Sequence, residues 1–424
     1  MTLAITPAQQ FNTPTIKQLD NGLTIIAEQM PLDSVSLNLW LNVGSALEED
    51  SINGMAHFLE HMVFKGTPNL PSGEFERLIE ERGAITNAAT SQEYTNYYIT
   101  CTPQDFPRLA PLQFDVVLNP SIPDEAFERE RLVVLEEIRR SQDNPNLRTY
   151  YRAMQTCFEQ LPYTRPVLGL TEVIEQLQPQ QMRDFHYQWY QPQSITAAVV
   201  GNLPESELLA IVTDLGERFP HNLTPPRPNL ESEAKFSHIV RQEYIDDTLQ
   251  QARLVMMWRV PGMRQLEETY ALDVLAAILG QGKISRLFRQ LREERGLVTH
   301  IGVSNMTHSM QGVFFISAHL PPENLAVVED AVAKAIEKLH TEAVATQEIN
   351  RIRTQVANRF IFGNERPSAR AHIYGYYYSQ LGDLTPAMTY PQRIQALETT
   401  DLQVAAQKYL DPNAYGVVIM RPGK

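Results

Sequence analysis

His57 and His61 open and close the run HFLEH. Four residues apart, they fall on one face of a helix, one turn from each other, where two imidazoles can share a metal ion. Glu60 stands beside His61 and can reach the coordination position left for a water. A metal lowers that water's pKa, and a carboxylate at hydrogen-bond distance can take its proton. The chain has 10 His and 50 acidic residues among 424, so H-x-x-[DE]-H arises by chance in roughly 3 of 100 such chains. A chance match would be two solvated helical histidines.

A catalytic zinc site needs a third protein ligand. FERERLVVLEEIRR reads as part of a helix from about Asp124 to about Ser141. Within it Glu130 and Glu137 project from the same face two turns apart, while Glu136 is rotated by about 100°. Glu128, Arg131 and Arg139 fit a solvated charged face. Glu130 and Glu137 lie among Phe127, Val134 and Ile138, and a carboxylate in partly apolar surroundings wants a cation or a donor.

The elements that must position these residues follow from periodicity and turn chemistry. LTIIAEQ, SVSLNLWLNVGS and EYTNYYITC read as strands, and GMAHFLEHMVFKG as a helix. SGEFERLIEERG is a second helix, with Ser72 as expected N-cap and Gly83 as expected C-cap. Strands mixed with clustered helices predict an α+β fold, a mixed or antiparallel sheet covered by helices.

The pattern is written twice. IEQLQPQQMRDFHYQWYQPQSITAAVVG, from Ile174, parallels IQALETTDLQVAAQKYLDPNAYGVVIMR, from Ile394, without a gap. TNYYITCTPQDFPRLAPLQFDVVL parallels GVFFISAHLPPENLAVVEDAVAKAI, and PDEAFERERLVVLEEI parallels TQEINRIRTQVANRFI. Two homologous domains related by pseudo-symmetry are therefore expected, residues 1–221 and 236–424. The proline-rich stretch 222–235 between them has the composition of a linker. GQGK at 280–283 lacks phosphate-loop spacing and follows a helical pattern, so it is read as a structural turn.

A net charge of -14 argues against nucleic acid or an anionic membrane as partner, since both need a basic face. Cys101 and Cys157 have no pair-spaced motif and read as ordinary buried, reduced residues. The N-terminal residues show neither a secretory signal nor an Arg-rich presequence, and no apolar stretch is long enough to span a bilayer. The expected location is cytoplasmic.

Together, HFLEHMVFKGT, GAITNAATSQEYTNYYI and ERERLVVLEEI resemble the signature of the inverted-motif zinc peptidases, the pitrilysin and mitochondrial processing peptidase family. The resemblance covers nearly the full chain. It implies Zn2+ held by His57, His61 and Glu137, Glu60 as general base, and Glu130 supporting the site from behind the ligands. It implies that ITNAATSQEYTNYY is an edge strand that pairs with an extended peptide substrate, with Asn87 and Ala88 at the matching positions. On residues alone that segment is an ordinary alternating strand. The second half has no H-x-x-E-H and resembles a degenerate copy without metal. The family often places an Arg and a Tyr there to bind the substrate carbonyl. Arg292 matches the arginine, but Thr299 stands at the tyrosine position, with His300 next to it. Either His300 substitutes, or a homologous partner subunit supplies the pair. On residues alone Arg292 is a surface helical arginine. The implied activity is a metalloendopeptidase acting on peptides inside a closed homodimer or heterodimer. A catalytically silent structural subunit and a peptide-holding module that does not cut are the alternatives.

Overall fold

The computed structural model describes residues 13–220, 223–226 and 230–423. They form two compact units, each a sheet with helices. The first combines Met1–Arg140, Arg165–Pro228 and Arg359–Met388; the second combines Ser141–Thr164, Asn229–Asn358 and Thr389–Lys424.

The first unit's sheet contains β1 (Thr15–Gln18), β2 (Thr24–Gln29), β3 (Val35–Leu41), β4 (Ile85–Thr90), β5 (Thr95–Cys101) and β6 (Ile195–Gly201). Their order is β1-β2-β6-β3-β5-β4. Only the β2–β6 pair is parallel. The second unit contains β7 (Val240–Asp246), β8 (Ala252–Pro261), β9 (His300–Met306), β10 (Gln311–Leu320) and β11 (Gly416–Pro422), in the order β7-β11-β8-β10-β9. Here only β7–β11 is parallel. Apart from β1, which has no counterpart in the second sheet, substituting β7 for β2, β8 for β3, β9 for β4, β10 for β5 and β11 for β6 turns one strand order into the other, so the units share a five-stranded topology. The repeat read from sequence is a repeat of elements. The helix Pro179–Trp189 precedes β6 and the helix Thr399–Tyr409 precedes β11 at the same offset.

Strand alternation divides the first sheet's faces. Leu37, Leu39, Leu41, Tyr97 and Ile99 are buried in the large helix-covered core. Ser36, Asn38 and Trp40 alternate with the β3 core residues. The face they point to carries the helix Pro367–Leu381, which contacts β3 and β6. Gly375 lets that helix approach closely, since a Cβ there would lie 2.1 Å from the Trp40 ring. The buried carboxylate of Glu28 accepts from Arg370 and, at 2.9 Å, from the Tyr374 hydroxyl. In the second unit the corresponding cover is the helix Pro145–Cys157, which contacts β8 and β11. Arg259 of β8 donates to the carbonyl of Cys157 at 2.6 Å and pairs with Glu233 at 2.8 Å.

The units therefore differ from the two contiguous halves read from sequence. Residues 141–164 join the second sheet and residues 359–388 the first. Composition marks where a chain runs through solvent, not which sheet an amphipathic helix will cover. Of the expected linker 222–235, positions 222 and 227–229 lie outside the described residues, as do the N-terminal residues 1–12. The N-cap of the helix Glu74–Glu81 is Gly73, at φ 82°, and not Ser72. Its C-cap is Arg82 and not the expected Gly83, which follows it in the left-handed region at φ 63°. Both cysteines are buried thiols. Among the described residues no helix is long and apolar enough to cross a membrane.

Candidate metal centre

The histidines ride on the helix Met55–Met62, only eight residues long. A helix that short is marginal without tertiary packing. Met55, Ala56, Phe58, Leu59 and Met62 are buried and pin it to the core. Its N-cap is Gly54, in the left-handed conformation at φ 98° with no side chain to cap the first turn. Gly54 also packs on Gly169, whose Cα would lie 2.7 Å from an added Cβ.

The second contributor is the helix Asp124–Asp143. Phe58 stacks on Phe127 with ring centroids 4.5 Å apart, and Val134 and Ile138 continue the buried stripe. This packing fixes the rotation of the glutamate helix against the histidine helix, so that Glu130 and Glu137 both face His61.

His57 Nε2 lies 3.6 Å from Glu137 Oε2, and His61 Nε2 lies 3.5 Å from the same oxygen. One donor atom from each of the three residues falls within 4.8 Å of the others. A tetrahedral zinc ion with bonds of about 2.0–2.2 Å holds its donors about 3.3–3.5 Å apart. The two nitrogen–oxygen separations match that spacing, and three protein donors leave a fourth position of a tetrahedral ion over. The His57 side chain is 8% exposed and Glu137 is 46% exposed, so the centre is buried on one side and open on the other. Burial, with His61 adding to it, pushes the His57 imidazole down to about 3. It is therefore the neutral form that a metal ligand requires.

The other nitrogen of His61 is spoken for. Nδ1 lies 2.9 Å from Glu130 Oε1, and Lys65 Nζ lies 2.8 Å from Glu130 Oε2. Burial raises the Glu130 carboxyl, but its hydrogen bonds to Lys65 and His61 outweigh it and the net shift is down. Glu130 thus stays ionised, accepts a hydrogen bond from the Nδ1–H of His61 and leaves Nε2 as the free ligand atom. His57 Nδ1 is buried without a hydrogen-bond partner.

Glu60 accepts from the Thr90 hydroxyl through Oε2 at 2.5 Å. Its carboxyl is raised by burial, against the hydrogen bond from Thr90 and the nearby His61. Thr90 ends β4, which is an edge strand of its sheet. Thr86, Ala88 and Thr90 share one face of β4, and Asn87 points to the other. The Ala88 N–H turns to the Asn87 side-chain oxygen at 2.9 Å.

Arg292 belongs to the second unit. It is exposed on the segment Phe288–Glu294, its guanidinium 4.7 Å from the Phe288 ring. Thr299 donates to Gln251 Oε1 at 2.6 Å, and His300 lies against the His319 ring at 5.1 Å. The helix Tyr270–Gly280, which follows β8 as the histidine helix follows β3, is apolar and buried except for Asp273.

Sequence reasoning passed over Lys65, Thr90 and Glu48. Lys65 was detectable as the residue four positions after His61. Thr90 reaches Glu60 from a strand thirty residues away, and Glu48 accepts from the Gly54 and Ala56 amides across an irregular turn, so neither leaves a helical or strand signal.

Two units of one topology, with an H-x-x-E-H helix facing a third carboxylate in the first and an apolar helix in its place in the second, define a class of duplicated metallopeptidase-like folds. Residues 24–170 match the insulinase (peptidase family M16) model, and residues 176–356 match the peptidase M16 inactive domain. The chain belongs to peptidase family M16. It is 29% identical over 412 residues to an uncharacterized zinc protease of Rickettsia bellii, covering 97% of this chain and 98% of that one. A crystal structure of a protease from Helicobacter pylori superposes with a TM-score of 0.91 at 25% identity, covering 96% of this chain and 99% of that one. A peptidase M16 inactive domain from Pseudomonas fluorescens shares the fold, with a TM-score of 0.86 at 19% identity over 97% of this chain and 99% of that one.

Proposed function

We propose that this chain is a zinc-dependent endopeptidase acting on extended peptides. The observation that carries the reading is that His57 Nε2 and His61 Nε2, from the helix that also bears Glu60, lie 3.6 and 3.5 Å from Oε2 of Glu137 on a second helix. The names of the relatives support zinc as the metal. When bound, the ion would supply Lewis acidity and lower the pKa of a water.

The chain's own residues do the rest. Thr90 holds Oε2 of Glu60, leaving Oε1 to take a proton from the attacking water. Hydroxide oxygen bonds to the peptide carbonyl carbon, the C–N bond breaks, and Oε1 returns its proton to the leaving amine. A carboxyl raised by burial is better matched to that double duty than a solvated one. An extended substrate lies along β4 and adds a strand to it, with backbone recognition at Asn87 and Ala88 that tolerates many sequences. A substrate carbonyl that accepts from the Ala88 N–H displaces the Asn87 side-chain oxygen, so this side chain swings aside when a strand is added.

Arg292 remains the candidate for a substrate carbonyl. The Thr299 hydroxyl is engaged by Gln251, so the missing donor is to come from His300 or from a homologous partner subunit. Purified chain is assayed for mass in solution, zinc content and cleavage of a fluorogenic peptide, alone and mixed with a homologous subunit. Stoichiometric zinc with turnover upholds the reading. Zinc without turnover in either sample points to a peptide-holding module, and neither zinc nor turnover to a structural subunit.

A further inference from the structure

Glu48 is a 3% exposed carboxylate that the chemistry above leaves unused. Its Oε1 accepts from the Ala56 N–H at 2.7 Å. Its Oε2 accepts from the Gly54 N–H at 2.7 Å and from Asn53 Nδ2 at 2.9 Å. Asn53 Nδ2 also donates to the Pro166 carbonyl at 3.1 Å. The first-turn amides of a helix have no partners within it, and Gly54 brings no capping side chain. Glu48 supplies the cap from six to eight residues upstream, gripping the turn with both oxygens.

That turn carries His57, directly after Ala56. Displacing the Ala56 amide displaces the His57 Cα with it, and the 3.6 Å approach of Nε2 to Glu137 depends on that position. We propose that Glu48 is a positioning residue of the metal centre, a buried clamp that aims His57 at the ion. The inference rests on the metal-binding reading of His57, His61 and Glu137. A glutamine offers one acceptor and one NH2 group where three donors converge, so it cannot reproduce the grip. Burial meanwhile pushes the Glu48 carboxyl up to about 7 against its three hydrogen bonds. A neutral side chain is therefore tolerated in this place as far as burial is concerned.

The test uses the full chain as wild type, Glu48→Gln, Glu48→Asp and Asn53→Ala. Zinc affinity is measured by competition with a chromophoric chelator, the cobalt(II) spectrum is recorded, and amide exchange and Tm are followed in zinc-free protein. Glu48→Gln is expected to weaken zinc binding roughly 10–100-fold and to alter the cobalt spectrum. Its zinc-free Tm stays within a few degrees of wild type, and exchange at Ala56 and His57 accelerates. Glu48→Asp keeps the charge but shortens the reach, and weakens zinc in the same way; it carries the test should Glu48→Gln fail to fold. Asn53→Ala, which spares both grips on the helix, changes affinity by less than about threefold. Zinc affinity and cobalt spectrum unchanged in both Glu48 variants overturn the proposal. If wild type itself binds no zinc, the metal reading fails. The clamp is then judged by exchange alone, and unaltered exchange at Ala56 in the variants refutes it.

Discussion

Replacing Glu130 by Gln isolates what lies behind the ligands. The carboxylate is 13% exposed, 2.9 Å from His61 Nδ1 and 2.8 Å from Lys65 Nζ. In Glu130→Gln the amide oxygen can still face His61, but its NH2 then points at the Lys65 ammonium, donor against donor. A hydrogen bond to a charged group contributes roughly 1.5–3 kcal/mol and a neutral one about half of that. The difference, about 1–1.5 kcal/mol, converts to roughly a tenfold loss of zinc affinity. Glu130→Ala leaves His61 Nδ1 unpaired and frees the ring to turn, so the loss rises towards about 100-fold. Lys65 is 31% exposed and is resolvated in both variants, so it adds little. The assay is zinc competition against a chelator at fixed pH, with Tm of the zinc-free proteins as the control. Affinity within about twofold of wild type in both variants would refute the idea that Glu130 sets the His61 tautomer.

Other consequences follow from packing and burial. Phe58→Ala removes the stack on Phe127 and lowers stability by about 3–5 kcal/mol, read as a shift in the urea midpoint. Gly375→Ala forces a methyl into the Trp40 ring and costs about 1–3 kcal/mol, with a change in tryptophan fluorescence. Glu48 titrates near about 7 when folded and near 4.5 when unfolded. Its contribution is therefore fully present below the unfolded value and is lost as pH rises through the folded one. Zinc-free wild type should lose stability across that window relative to Glu48→Gln, in urea titrations at a series of pH values; parallel curves would contradict the assignment.

The fold was largely legible because periodicity and repeat operate within short windows. The helix Pro179–Trp189 and the strand after it could be laid over Thr399–Tyr409 and its strand from sequence, and the sheet orders match accordingly. The exchange of Pro145–Cys157 and Pro367–Leu381 was not legible. Both helices present an apolar side to a sheet, and nothing in their residues says which one. At the site, the spacing of His57 and His61 on one turn could be read directly. The choice between Glu130 and Glu137 could not, because the two share a helix face. The Phe58–Phe127 stack sets the depth of each, so that Glu137 meets the two Nε2 atoms and Glu130 meets Nδ1 of His61. Thr90 reaches the site from a distant strand, and Glu48 reaches the histidine helix across an irregular turn outside the usual capping position, so no local pattern announces either.

The central claim is that one helical turn and a distant carboxylate hold a zinc ion beside Glu60. It is tested most directly by measuring zinc stoichiometry and peptide turnover of wild type and Glu60→Gln side by side. The account predicts one zinc per chain in both, with turnover falling by a factor of about 10²–10⁴ in the variant, the usual contribution of a positioned general base. A variant that cleaves as fast as wild type, or a wild type that takes up no zinc, would contradict it.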